Sequence, residues 1–371
     1  MIVQVINMKK IITAAESILL IAAFLLCITQ AQSVREAVQE ASERCLLTVI
    51  PSLYAIMIVS SLIAKSGILT CLPSLLSKIS VRAGMKGYII SVLFYSMFAG
   101  YPVGLSVLLS ETAAKRLDKR TAAVLSGVCF GAGPSFIFGC ISQKLYSSTA
   151  AGTIIIISGA AANIIIAAVF LPFLKKCDPV SAINMNLSFS SDMLSKSILS
   201  AGRSMAGICF SITAFSAASC FLDILGLTAN TGALLSKLTG LSEEISRQLV
   251  YVFLDVTNIS GLPENDLSLL PYISGLVSFG GICVMLQLSA IAGGKISLKP
   301  LMLTRIAAAF LSGAICRMIM PYFLRHEITA ASTVNVHTHR EISPVPSIML
   351  IIMTIMLFAN YDKTIKLHEP Y

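Results

Sequence analysis

The chain has 371 residues, of which 56% are apolar and only 12% are charged, whereas soluble domains usually contain about 25% charged residues. This composition excludes a water-soluble protein. The formal net charge of +9 comes from Lys and Arg residues spread between apolar segments, which is typical of loops beside anionic lipid rather than of a nucleic-acid site. We therefore expect the lipid bilayer, and no nucleic acid, as a partner.

Apolar segments long enough to cross a bilayer recur along the chain. The first, 11–28, follows Lys9 and Lys10; it exceeds a signal-peptide core and lacks a good cleavage site, so we expect a retained span, with cleavage as the alternative. The others are 45–64, 87–109, 121–141, 150–174, 197–222, 249–262, 269–291, 301–324 and 345–359. The last is short, and whether it crosses stays open.

Two segments carry Gly and Pro clusters in their middle. These are Gly100-Tyr101-Pro102-Val103-Gly104 and Gly131-Ala132-Gly133-Pro134. Since proline removes a backbone donor and clashes with the preceding helical turn, neither segment can be an uninterrupted helix.

The chain also resembles itself. Gly67 and the sequence at 75–79 recur as Gly226 and 234–238, 159 positions later, and Gly100-Tyr101-Pro102 recurs as Gly261-Leu262-Pro263, 161 positions later. The Phe-Gly pair at 130–131 recurs at 279–280, 149 positions later. Because the landmarks keep their order, we interpret them as a duplication and not as chance matches.

The expected division follows from these landmarks. It comprises an N-terminal span and loop (1–42), repeat 1 (43–176, with a hairpin at 87–114), a linker (177–196), repeat 2 (197–325, with a hairpin at 248–268) and a loop with a possible final span (326–371).

Basic residues favour hairpins over full crossings. If every segment crosses, inside loops hold 13 Lys and Arg against 11 outside; if 87–109 and 249–262 each turn back, the tally becomes 17 against 7. Positive residues concentrate on the cytoplasmic side of membrane proteins. The hairpins also invert repeat 2 relative to repeat 1, a plan of secondary transporters whose site lies near mid-membrane. We therefore predict an all-α polytopic membrane protein of inverted repeats, with two re-entrant helical hairpins and broken transmembrane helices.

The turns and breaks would expose backbone N–H and C=O groups able to hold a polar or anionic solute. We expect substrate contacts at the two Gly and Pro clusters of repeat 1 and at the matching positions of repeat 2. The alternative role of these glycines is close helix packing. The candidate backbone positions are Gly100, Tyr101, Pro102, Gly131, Gly133, Pro134, Ser135, Gly261, Pro263, Gly280 and Gly281.

Few polar side chains fall inside the apolar segments. Asp255 is the candidate for ion coupling, since a carboxylate in a membrane is costly and by default functional; the alternative is a wet position near the surface. The further candidates for substrate binding are Thr257, Asn258, Gln287 and Arg317. Arg203 and Arg305 fall near predicted cytoplasmic ends and are interpreted as lipid anchors.

No arrangement typical of catalysis or of ATP binding is apparent, so we expect neither an enzyme nor a cofactor. The four histidines lie outside the segments, and we interpret His337-x-His339 as an ordinary loop rather than as a metal site.

At these residues the chain resembles the Gate-domain (nucleoside-recognition) membrane proteins, and most of all the sporulation integral membrane protein YlbJ family. The resemblance covers roughly 43–324. The sequences that carry it are Phe98-Ala99-Gly100-Tyr101-Pro102-Val103-Gly104, Ala132-Gly133-Pro134-Ser135-Phe136-Ile137-Phe138-Gly139, Phe253-Leu254-Asp255-Val256-Thr257-Asn258, and Ser278-Phe279-Gly280-Gly281 with Gln287.

The resemblance implies a fold similar to that of concentrative nucleoside transporters and a role in moving dipicolinic acid across the outer forespore membrane of an endospore-forming bacterium. The alternatives are transport of a nucleoside-like solute and a non-transporting scaffold or regulator of spore assembly. Self-association stays open.

Overall fold

The computed structural model describes residues 2–70, 74–128, 130–175 and 189–331. These residues form helices and connecting loops without a β-strand, which confirms the predicted all-α class. The segment expected at 345–359 and most of the expected linker lie outside the described residues.

The first half contains eleven α-helices interspersed with short π- and 3₁₀-helical stretches. They are α1 (Ile2–Thr29), α2 (Ala31–Arg44), α3 (Ile50–Ser66), α4 (Ser74–Ala83), α5 (Gly87–Ala99), α6 (Tyr101–Ala113), α7 (Lys119–Val128), α8 (Pro134–Phe136), α9 (Gln143–Leu145), α10 (Thr149–Val169) and α11 (Leu171–Leu174). A π-helical stretch, Cys45–Val49, joins α2 to α3, and another, Ile137–Ser142, joins α8 to α9.

The second half begins with α12, which starts inside the expected linker because Ser190 caps it by accepting from the Met193 N–H at 3.1 Å. Its helices are α12 (Ser191–Ile224), α13 (Leu227–Thr239), α14 (Glu243–Leu254), α15 (Leu270–Phe279), α16 (Gly281–Ala292) and α17 (Lys299–Ala331), with a 3₁₀-helix, Val256–Gly261, after α14.

Five helical stretches of the described residues are long and apolar enough to cross a membrane. They are Ala31–Ser66, Thr149–Val169, Ser191–Ile224, Leu267–Ala292 and Lys299–Phe323. The chain is therefore built as a multi-pass membrane protein.

Helices α5 and α6 pack antiparallel about Gly100. Tyr88, at the start of α5, donates to the Glu111 carboxylate near the end of α6. Midway between, a Cβ on Gly104 would lie 2.9 Å from the Ser96 carbonyl oxygen, so the two backbones touch. Each helix has 13 residues and is about 20 Å long, shorter than the roughly 30 Å hydrocarbon core of a bilayer.

The chain reverses a second time at Asp255, not at Gly261–Pro263 as the sequence predicts. Asp255 is extended after α14, and the following 3₁₀-helix folds back along α14, where the Gln248 side-chain amide donates to the Asn258 carbonyl at 2.9 Å. We call Gly100 the first turn and Asp255 the second turn.

Two further interruptions occur where the sequence predicts broken helices. Residues 130–133 separate α7 from α8, and Gly280, with φ 94°, separates α15 from α16. We call residues 130–133 the first break and Gly280 the second break.

The buried side chains form two clusters. The larger one joins α5–α7 and α10 to α14–α17, and the smaller one joins α2 and α3 to α12. The turns and breaks lie where these clusters meet, since residues of both clusters line the cavity described next.

Candidate functional site

A cavity lies between the two turns, α3, α12 and α16. Its volume is about 70 Å³, enough for several ordered water molecules. We call it the central cavity. Eight of the sequence-predicted residues line it: Gly100, Tyr101, Pro102, Gly133, Ser135, Asp255, Thr257 and Gln287.

The first turn crosses the first break at close range. A Cβ on Gly100 would lie 3.1 Å from both the Cα and the N of Gly133. Gly100 also has φ 89°, a conformation that residues with a side chain rarely adopt. A glycine at position 100 is therefore required both by the backbone conformation and by the crossing.

The second turn meets the second break in the same manner. A Cβ on Gly281, directly after the break, would lie 3.0 Å from the Val256 N and 3.5 Å from the Asp255 Cα. The two contacts are linked by Tyr101, whose ring lies against Gly280 and whose hydroxyl donates to the Val277 carbonyl. Each turn thus packs against the backbone at a break, and Tyr101 connects the first turn to the second break.

Asp255 is the one charged side chain among the described residues that line the central cavity. It is 3% exposed. Its two carboxylate oxygens accept from Thr257, one from the backbone N–H at 3.0 Å and the other from the hydroxyl at 2.8 Å. The Asp255 carboxyl group therefore caps the 3₁₀-helix and at the same time is an ionisable group at the cavity.

Arg305 of α17 is completely buried, contrary to the expectation of a lipid anchor. Its guanidinium donates to the carbonyls of Gly127, just before the first break, and of Phe130, within it. It also donates to the Ser278 carbonyl beside the second break and to the Asn163 side-chain oxygen, the latter at 2.8 Å. Breaking a helix leaves its last carbonyls without intrahelical partners, and a cation suits the negative end of the helix dipole. Arg305 thus supplies hydrogen-bond donors to backbone carbonyls at both breaks.

Three predicted residues lie elsewhere. Gly261 and Pro263 are exposed, and Gly261 packs against the Gln248 side chain instead of forming the second turn. Arg317 is exposed on α17 and does not line the cavity. The structure does not bring these three residues to the central cavity, and their predicted contact with a solute stays a prediction.

The remaining predicted residues surround the cavity without lining it. Asn258 accepts from the Arg44 guanidinium through its side-chain oxygen. Gly280 forms the second break, and Gly281 directly follows it as the first residue of α16. Gly131 and Pro134 line a separate cavity on the other side of the first break.

Sequence reasoning did not select the apolar walls of the cavity or Arg305. The walls come from α3 and α12 through residues such as Leu53, Met57 and Ile212, which no sequence pattern distinguishes from other residues of the spans. For Arg305 a signal exists, because it shares one face of α17 with small residues, and small residues mark packed helix faces in membranes. The buried residues of that face are Leu301, Thr304, Arg305, Ala308, Ser312 and Cys316.

The fold and the cavity define a class, namely multi-pass all-α membrane proteins in which interrupted helices enclose a central cavity. No protein-family model matches the chain, and it has no significant similarity to the curated proteins or the solved structures with which it was compared.

Proposed function

We propose that this protein is a secondary transporter that moves a small solute through the central cavity. The observation that carries the proposal is that two chain reversals and two broken helices surround one cavity, whose described lining residues include a single carboxyl group, that of Asp255. Interrupted helices at mid-membrane, from two halves of the chain, are how many secondary transporters build a substrate site. Irregular backbone at such depth persists only against protein or a water-filled cavity.

The contacts of the two reversals support entry from opposite faces of the membrane. The segment 119–145 starts beside the base of the first hairpin, where the Arg116 side chain bonds Glu111 at 2.8 Å. It ends at Leu145, whose carbonyl accepts from Asn265 at 2.8 Å, beyond the second reversal. The segment thus runs from the open end of the first reversal to the open end of the second. This course favours the inverted, re-entrant arrangement that the sequence predicts.

The resemblance to the sporulation membrane proteins makes dipicolinic acid the first solute to test, with the outer forespore membrane as the location. A carboxylate solute and Asp255 would repel each other strongly in a buried site. We therefore propose that Asp255 takes up a proton or binds a cation when the anionic solute enters, so that the solute and the ion move together.

A neutral, nucleoside-like solute is the second candidate. The cavity walls are mostly apolar, and three of the polar side chains that line it, Ser135, Thr257 and Gln287, are uncharged. Such a lining suits a ring with a few hydrogen-bonding groups.

Uptake of radiolabelled dipicolinate and of radiolabelled uridine into liposomes containing the purified full chain tests the proposal. We expect one of them to accumulate above the level of empty liposomes, and a proton or sodium gradient to increase the rate. If neither solute enters under any gradient while a defined spore protein co-purifies, the scaffold alternative replaces transport.

A further inference from the structure

A groove lies between α3 and α12 on the surface of the helix bundle. Its volume is about 280 Å³, about four times that of the central cavity. It is lined by Ile50 and Tyr54 of α3 and by Gly202, Ala206 and Phe210 of α12, among others. We call it the lateral groove. Because both helices belong to membrane spans, its open side faces lipid.

Small residues of α12 leave the space for the lateral groove. Gly202 and Ala206 are one helical turn apart and therefore lie on the same face of the helix. A Cβ on Gly202 would lie 3.9 Å from the Tyr54 hydroxyl oxygen, so a larger side chain at position 202 would enter the groove. No described residue lines both the lateral groove and the central cavity, so the groove is a separate site.

Basic residues cluster beyond one end of the lateral groove. The Lys65 ammonium donates to the Ser197 hydroxyl at 3.3 Å, which places the end of α3 beside the beginning of α12. Lys196 precedes Ser197 in the chain and pairs with Asp192 at 2.7 Å. Lys65 also lies within electrostatic range of Lys196 and Asp192.

Arg203 continues this cluster toward the groove. Lys196, Arg203 and Phe210 are spaced by seven residues and therefore lie along one side of α12, and all three are exposed. Within α3 and residues 191–210, Asp192 is the only acidic residue. Three positive charges thus stand against one negative charge. We call Lys65, Lys196 and Arg203 the basic patch.

We propose that the lateral groove holds an acyl chain of an anionic phospholipid whose headgroup lies against the basic patch. Basic residues between membrane helices attract anionic headgroups at the cytoplasmic face, and the sequence predicts that this end of α12 faces the cytoplasm. A zwitterionic headgroup gains less, because its own charges cancel. The basic patch is the reason to assign the groove to a lipid and not to a second copy of the chain.

Tryptophan fluorescence tests the proposal, because the chain contains no native tryptophan. Phe210→Trp places a reporter in the lateral groove, at a side chain that is 74% exposed. Ile164→Trp is the control, since Ile164 is 55% exposed on α10, a helix without a charged residue. The full chain is reconstituted in mixtures of phosphatidylglycerol and phosphatidylcholine, one of which carries dibrominated acyl chains that quench tryptophan on contact.

We expect phosphatidylglycerol to be preferred about fivefold over phosphatidylcholine at Phe210→Trp, because of the basic patch. At Ile164→Trp the two lipids should quench about equally. Adding Lys65→Gln and Arg203→Gln together should remove the preference at position 210. Arg317→Gln, at an exposed arginine of α17, should retain it.

A second pair of variants tests the groove apart from the charge. Gly202→Leu fills the lateral groove and should also remove the preference at Phe210→Trp. Gly207→Leu is its matched control on the same helix, since no described atom lies within 4 Å of a Cβ at that position, and it should retain the preference.

Equal quenching by the two lipids at Phe210→Trp overturns the proposal, and so does a preference that persists after Lys65 and Arg203 are both replaced. Quenching by neither lipid would mean that protein, such as a second copy of the chain, covers the groove, and this result also overturns the proposal. The comparison of the two reporters needs no charge variant and no solute uptake. Failure of the lipid site and failure of the proposed transport are therefore distinguishable.

Discussion

Arg305 stabilises the structure by satisfying the backbone at both breaks. A guanidinium has five donors in a planar fork, which suits several carbonyls converging from different helices. Its backbone acceptors are the carbonyls of Gly127, Phe130 and Ser278, the last of which lies about 150 residues farther along the chain. One side chain therefore replaces the hydrogen bonds that two interrupted helices lack.

Replacing Arg305 with Gln should lower the stability of the protein. Each buried carbonyl that loses its donor costs about 1–3 kcal/mol, so we expect the thermal unfolding midpoint in detergent to fall clearly. Arg317→Gln is the matched control, because Arg317 is on the same helix and exposed, and it should change the midpoint little. Equal thermal unfolding midpoints for the two variants would show that the hydrogen bonds of Arg305 do not stabilise the broken helices.

Asp255 caps the 3₁₀-helix through its carboxyl group, and this structural role needs hydrogen-bond acceptors but no charge. Asparagine at this position keeps an oxygen that can accept the Thr257 N–H but removes the charge. We expect Asp255→Asn to fold normally. Its transport rate should be about one tenth of the parent rate or lower, and it should not depend on the ion gradient.

Uptake by Asp255→Asn liposomes, measured with and without the gradient, checks this expectation. A variant whose uptake still follows the gradient would remove Asp255 from ion coupling and leave it as a helix cap.

At the level of elements, each turn rests on a break, and the contacts allow no side chain between them. The first turn and the first break approach through Gly100 and Gly133, and the second break approaches the second turn through Gly281. Movement of either hairpin must therefore shift the backbone of a break.

Gly100→Ala should disturb the first crossing. The new Cβ would lie 3.1 Å from the Gly133 backbone, and φ of 89° is unfavourable for alanine, so the combined cost is about 1–3 kcal/mol. We expect a lower unfolding midpoint and loss of most uptake. Gly207→Ala is the control, since no described atom lies within 4 Å of its added Cβ, and it should behave as the parent chain in both measurements.

The breaks could be predicted from the sequence, whereas the second turn could not. Glycine and proline have fixed conformational consequences, so Gly131–Pro134 predicted an interruption wherever the segment lies. Asp255 turns the chain through an extended residue and a carboxylate cap, which leave no Gly or Pro signal. The match of Gly261–Pro263 to the first turn was misleading because the same residue types occur at the exposed end of a 3₁₀-helix.

The small residues on the same face of α17 could have indicated that Arg305 is buried, but the acceptors of its guanidinium could not be predicted from the sequence. A long basic side chain near the end of a span usually extends to the membrane surface, and its acceptors exist only once α7 and α15 are broken and packed against α17. Composition, by contrast, predicted the helical class and the multiple spans, because both depend on the average apolarity of long segments.

At the scale of the whole molecule, the proposed transport requires that the two reversals enter the membrane from opposite faces. The most direct measurement uses single cysteines at Lys78, Lys119, Lys237 and Glu264, labelled with an impermeant maleimide in right-side-out and inverted vesicles. We predict that the first two react only from the cytoplasmic face and the last two only from the outer face. If Lys78 and Lys119 react from opposite faces, or Lys237 and Glu264 do, that segment is a full crossing and the account is contradicted.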